Sequence, residues 1–216
     1  MNVKDIIFDL DGTLLHSAPG ILSSLHTAMS AAYPQGIDSL EKIIIGPPIA
    51  IMLNAALPDI SESTISEISA AYRVSYDEYG WQDSTLYPSA LETLSWLKEA
   101  GIGIYLATNK PSVVTEKIIS HFGLTDFFAD VKCVCIDDEE CSTKSKMVNT
   151  ILKKNNINVL NSILVGDTKS DGGAAFDNSL RFMWASYGYG SLQDMRDTPI
   201  HLPLNRLEDI KSFVEE

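Results

Sequence analysis

The stretch DIIFDLDGTLLHS, residues 5–17, constrains the chain more than any other. Ile6, Ile7 and Phe8 in succession predict a strand buried on both faces, and residues 4–9 are read as that strand. At its end stand Asp9 and Asp11, and side chains two apart on a strand leave from the same face. Their repulsion has to be offset by a cation, a shared proton or open solvent, and each remedy implies a different protein.

Residues 18–80 change character. The segments 19–33 and 61–79 carry helical periodicity, punctuated by YPQG and GPP turn signals, and predict an all-helical insert. The expected division is an insert over 16–81 and a core built from 1–15 and 82–216. A helix over 87–101 ending at Gly101 then feeds a second apolar strand, 102–110. Helices at 112–123 and 144–156 alternate with strands at 130–136 and 161–167; a helix from 170 and a short strand at 181–186 follow. That alternation predicts the α/β class, a Rossmann-like doubly wound parallel sheet covered on both faces, with sites outside the carboxyl ends of its strands. Asp9, Asp11, Thr108, Asn109 and Asp167 all fall at such ends. Acidic groups converging on one rim imply a hard divalent cation, with Mg²⁺ the first choice.

Sixteen Lys and Arg against 29 Asp and Glu give a formal charge of -13, which disfavours nucleic acid and anionic membrane surfaces as partners. An anionic substrate would need local positive charge from a metal, a lysine or a helix N-terminus. No apolar run approaches the roughly 20 residues of a membrane span, and the short run after Lys4 is broken by Asp9, so a cytoplasmic location is expected. The three cysteines, Cys133, Cys135 and Cys141, have no CxxC spacing and read as free buried thiols. His26, His121 and His201 lack metal-ligand spacing and read as surface or interface positions.

DLDGT, a strand ending in Thr108-Asn109, the lysine of STKSKMV, and VGDTKSD occur in this order across essentially the whole chain. Together they resemble the ordered motifs of the haloacid dehalogenase superfamily, and within it the phosphoglycolate-phosphatase-like members with a helical cap. YPSALETLSWLKEAGIGIYLATNKP and the YGYGS at 187–191 are similar to the same group. The resemblance implies a core of that superfamily's fold and a Mg²⁺-dependent phosphatase acting on a small phosphorylated metabolite. Asp9 would be the nucleophile that forms an aspartyl-phosphate, and Asp11 the general acid and base. Thr108, the Asn109 amide and Lys144 would hold the phosphoryl oxygens, with Gly12 and Thr13 shaping the turn beside them. Asp9, the Asp11 backbone carbonyl and Asp167 would hold the metal, and Asp171 would orient Lys144 or a metal-bound water.

Asp11 separates this chain from members that cleave carbon–halogen bonds, which lack an acid/base there. Leu10-Asp11-Gly12 separates it from the ion-pumping ATPases, which carry Lys-Thr-Gly. A phosphomutase stays open as an alternative, as does a non-catalytic phosphate- or metal-binding regulator, and the chain is expected as a monomer or homodimer. His16 departs from the pattern, in which Asp is common, and is placed at the hinge into the cap. In the insert, Gly46 and Pro47 of IIIGPPIA form a stiff bend that either contacts substrate or merely joins two helices.

Overall fold

The computed structural model describes residues 3–135 and 137–215. By its contacts the chain divides into two compact units, one of Met1–His16 with Leu86–Glu216, the other of Ser17–Thr85. Along the chain come β1 (Asp5–Phe8), β2 (Leu15–His16), α1 (Ala18–Ala32), α2 (Ile49–Ala56), α3 (Glu62–Glu78), β3 (Thr85–Leu86), α4 (Ala90–Glu99) and β4 (Gly103–Thr108). Then follow α5 (Ser112–His121), β5 (Asp130–Cys133), α6 (Lys144–Lys154), β6 (Ser162–Gly166), α7 (Lys169–Asp177), β7 (Arg181–Ala185), β8 (Leu202–Leu204) and α8 (Ile210–Glu215).

The first unit is built on a parallel six-stranded sheet of order β5-β4-β1-β6-β7-β8. Its inner strands β1, β4, β6 and β7 are apolar on both faces. Ile7, Tyr105, Ala107, Leu164, Phe182 and Trp184 join one buried cluster with Met147, Val148 and Ile151 of α6. The alternating residues Ile6, Phe8, Leu106, Ile163, Val165 and Met183 are buried outside that cluster, as the period of two requires. β1 is central, and the chain builds outward to β4 and β5 on one side before returning to β6 on the other. That reversal leaves a crevice at the carboxyl ends of β4, β1 and β6.

Local signals set the helix ends. Thr143 caps α6 through its side chain, which accepts from the Lys146 N–H at 3.2 Å, and Gly101 takes the left-handed conformation (φ 75°) after α4. The second unit is helical: α1 and α3 pack together and bury Leu25, Met29, Ile65, Ile68 and Tyr76. Ser61 caps α3, accepting from the Thr64 N–H at 3.1 Å. Gly46 (φ 130°) lies in the bend before α2, whose N-cap is Pro48.

Several sequence expectations need correction. A sixth strand, β8, follows the five expected; three residues around Pro203 are too short to show periodicity, and only pairing with β7 makes them a strand. The strands stop one to three residues short of their predicted ends: β1 at Phe8, β4 at Thr108, β5 at Cys133, β6 at Gly166 and β7 at Ala185. β5 ends at Cys133, which puts Cys135 on a loop, exposed rather than buried; Ile136, the last residue of the expected strand, lies outside the described residues. Among the described residues no helix is long and apolar enough to cross a membrane.

Candidate active site

β1 ends at Phe8, and the register of Phe8 with Leu106 on one side and Val165 on the other aligns the three strand ends. Asp9, Thr108 and Asp167 follow at those ends. The ladder runs one step further, with the Asp9 N–H donating to Val165 O at 2.9 Å, and the chain then turns tightly. The carbonyl of Leu10 accepts from the N–H groups of Thr13, Leu14 and Leu15. Gly12 takes φ 79°, and a Cβ there would overlap the Asp167 carboxylate.

This turn changes how the Asp pair is tolerated. The two carboxylates lie against different ammonium groups: Lys144 Nζ is 2.6 Å from Asp9 Oδ1, and Lys110 Nζ is 3.0 Å from Asp11 Oδ2. Both lysines are buried. Lys144 also donates to Asp171 Oδ1 at 2.7 Å. The other oxygen of Asp171 accepts from the N–H of Thr168 at 2.9 Å and from its hydroxyl at 2.7 Å. Both oxygens of Asp171 are thus committed. Lys146, two residues on, is half exposed and lies 3.6 Å from Glu139.

Asp167 is fully buried. Its Oδ2 accepts from the Tyr189 N–H at 2.6 Å, while its Oδ1 has no hydrogen-bond partner among the described residues. Ligand atoms of Asp9, Asp167 and Asp171 lie within 4.8 Å of one another. Three carboxylates with one ammonium among them leave negative charge unbalanced in a buried place. Burial pushes the Asp9 carboxyl up, to about 7, against the opposing pull of Lys144. Burial likewise holds Asp167 well above the carboxylate range, reinforced by the charges of Asp171 and Asp9. Burial works against the Lys144 ammonium, but Asp171 and Asp9 overcome it and raise its pKa. Lys144, shared between two acids, therefore offsets only part of the cost of ionising Asp9. A hard divalent cation fits: Asp9 and the orphaned oxygen of Asp167 offer oxygen donors, and the charge it would neutralise is present. Asp171 has no free oxygen to give it.

Thr108 is buried at the end of β4, its Oγ1 accepting from the Lys110 N–H at 3.1 Å. Its hydroxyl proton is left to donate. Asn109 follows, half-buried. Thr13 is fully buried, and its carbonyl accepts from the Tyr187 hydroxyl at 2.8 Å. Gly46 and Pro47 belong to the helical unit.

Two participants escaped sequence reasoning. Lys110 stands two residues after Thr108 in TNK, and its meaning appears only once β4 lies beside β1. The segment Tyr187–Tyr189 resembled the family without a stated task; its tasks are the Tyr187 hydroxyl on Thr13 and the Tyr189 amide on Asp167. Tyr189 also brings its hydroxyl to 3.5 Å from His16 Nδ1, and the His16 ring lies 5.8 Å from that of Tyr87. His16 is thus one member of an aromatic group beside the turn.

Comparison with known proteins agrees with this arrangement. A family model for haloacid dehalogenase-like hydrolase matches residues 6–185. The chain is 30% identical over 198 residues to a phosphoglycolate phosphatase of Vibrio vulnificus, spanning 87% of this chain and 85% of that protein. It is also 30% identical over 188 residues to the tyrosine-protein kinase PtkA of Mycobacterium tuberculosis, spanning 86% of this chain and 62% of the kinase. A solved structure from Clostridium acetobutylicum, described as a predicted phosphatase, superposes with a TM-score of 0.87 at 26% identity over 100% of both chains. The strand-end carboxylates and buried lysines thus sit on a sequence matched from its first strand to its seventh, and the chain belongs to the haloacid dehalogenase-like hydrolase family.

Proposed function

We infer that the protein is a Mg²⁺-dependent phosphatase of small phosphate monoesters that works through an aspartyl-phosphate on Asp9. The observation that carries this reading is the pairing of Asp9 with Lys144 beside the unpartnered oxygen of Asp167, at the crevice of the sheet. The phosphoglycolate phosphatase relative supports it, and the substrate class is phosphoglycolate, a nucleotide or a sugar phosphate.

In this reading an Asp9 oxygen attacks phosphorus while Asp11 protonates the departing ester oxygen; Asp11 then takes a proton from the water that releases phosphate. Thr108, the Asn109 N–H and Lys144 hold the transferring oxygens, and Gly12 and Thr13 keep the turn that presents them. Asp171 orients Lys144. Mg²⁺, held by Asp9, Asp167 and the Asp11 backbone carbonyl, would neutralise charge on the phosphoryl oxygens and hold Asp9 ionised.

The test is phosphate release from a panel of such esters with Mg²⁺ and with EDTA. Release that needs Mg²⁺ is expected, and a folded, Mg²⁺-supplied protein that releases nothing from any ester would overturn the reading. The likeness to a tyrosine-protein kinase favours one second reading, transfer from Asp9 to an acceptor hydroxyl rather than to water. A phosphomutase would be of that kind. Free phosphate against phosphorylated acceptor in the same assay decides between them.

The raised carboxyls also predict how the metal-free protein responds to pH. Between the ordinary value of 3.8 and about 7 the folded chain keeps a proton on Asp9 that the unfolded chain releases, so stability falls as pH rises through that window. In EDTA the melting temperature is expected to fall across it, and to fall less in Asp9→Asn. Mg²⁺, which binds the ionised acids, is expected to raise it most at the alkaline end. A Mg²⁺ increment independent of pH would count against the cluster as its site.

A further inference from the structure

The two oxygens of Asp11 have different surroundings. Oδ2 lies 3.0 Å from Lys110 Nζ, whereas Oδ1 is buried and has no hydrogen-bond partner among the described residues. Lys110 itself is held firmly. It is 6% exposed, its backbone N–H donates to Thr108 Oγ1, and it follows β4, which is paired in register with β1. A free carboxyl turns readily about its last torsion and presents either oxygen. This one is anchored by one oxygen.

We propose that Lys110 is a positioning residue that acts through Asp11: by occupying Oδ2 it leaves Oδ1 as the oxygen turned to the leaving group and to the attacking water. The assignment rests on the reading of Asp11 as general acid and base. An ammonium on Oδ2 is a donor, so Oδ1 is the oxygen left to give and take the proton when Asp11 acts as acid and base. As the bond from an Asp9 oxygen to phosphorus forms and the bond from phosphorus to the ester oxygen breaks, the Oδ1 proton passes to that ester oxygen and the alcohol leaves. Water then forms a bond to phosphorus, the bond to Asp9 breaks, and the proton of the water returns to Oδ1. Lys110 keeps its protons throughout. Lys144 serves Asp9 and Asp171, so the two lysines divide between nucleophile and acid.

The test compares leaving groups. Alkyl alcohols leave poorly without a proton, whereas p-nitrophenolate leaves readily as the anion, so only alkyl esters need a well-placed acid. The quantity to measure is kcat/KM, which ends at departure of the first product when that departure is irreversible. Lys110→Met is expected to lower it about 10- to 100-fold for an alkyl phosphate, the scale of a misplaced acid, and at least about tenfold less for p-nitrophenyl phosphate. Lys110→Arg, which keeps a cation, is expected to recover most of the alkyl rate. In an Asp11→Asn background, Lys110→Met should cost less than about threefold more, because the group it acts through is already gone. If the Met variant fails to fold, Lys110→Gln gives the same ratio. Equal losses on both esters, or full additivity with Asp11→Asn, would show that Lys110 only supports the fold and would overturn the proposal. A wild-type protein that cleaves neither ester removes the phosphatase reading and this assignment together; wild-type cleavage with an unmoved ratio removes the assignment alone.

Discussion

On the proposed mechanism, Asp9→Asn is expected to lower turnover of the best phosphate ester by about 10⁴-fold or more, because the substitution would remove the atom that bonds to phosphorus rather than a helper. Each factor of ten is about 1.36 kcal/mol of barrier, so a loss on this scale exceeds what a lost hydrogen bond could cause. The substitution changes charge and not shape, and an amide oxygen can still accept from Lys144. Stability should therefore not suffer. In EDTA at alkaline pH the variant should melt no lower than the wild type, since one member of a crowded, buried acidic group has lost its charge. Intact mass spectrometry of acid-quenched reactions gives the direct check. A phosphorylated species is expected in the wild type and none in the variant; an undiminished phosphoenzyme in Asp9→Asn would place the nucleophile elsewhere.

Lys144→Met is expected to damage both activity and fold. The ammonium lies 2.6 Å from Asp9 and 2.7 Å from Asp171, both buried. Removing one partner of a buried ion pair leaves the other charge uncompensated, at about 3–5 kcal/mol. Activity should fall about 10²–10³-fold, the scale of losing one donor to the developing charge. Urea unfolding measures the first effect and steady-state kinetics the second. Adding Asp171→Asn separates them: part of the lost stability should return, because a charge Lys144 had balanced is gone, while activity should stay low. A double variant that regained activity with stability would reduce Lys144 to a structural support.

How far the sequence foretold this site depends on which kind of information each residue carries. Asp9 and Asp167 were legible because each ends a run of apolar residues, and such runs are read without knowing their neighbours. Lys144 is separated from Lys146 by its place at the start of a helix, where the resembling family has its lysine, and the structure puts Lys144 at the acids and Lys146 near Glu139. Lys110 was invisible for the opposite reason: its partner is Asp11, brought near only by the pairing of β4 with β1. The Tyr189 contribution comes from a backbone N–H, which no residue type advertises. Gly188 shows the same limit, since a Cβ there would overlap Asp167 and the carbonyl of Gly12, a constraint set by how three loops meet. β8 was missed because three residues hold too little pattern to outweigh a proline in their middle.

The central place of β1 has a consequence for how the chain comes to be folded as it leaves the ribosome. β1 emerges early, but its two ladder partners are β4 and β6, which end at Thr108 and Gly166. Until β4 is made three consecutive large apolar residues have no strand to pair with, whereas every residue of the helical unit, Ser17–Thr85, is synthesised before β4 begins. The inserted unit can thus reach its native packing before the unit that it interrupts. The long-range strand pairing that follows is the slow step that contact order predicts. The same segment that ends in Asp9 is, until its partners are made, an unpaired apolar strand open to association with other chains.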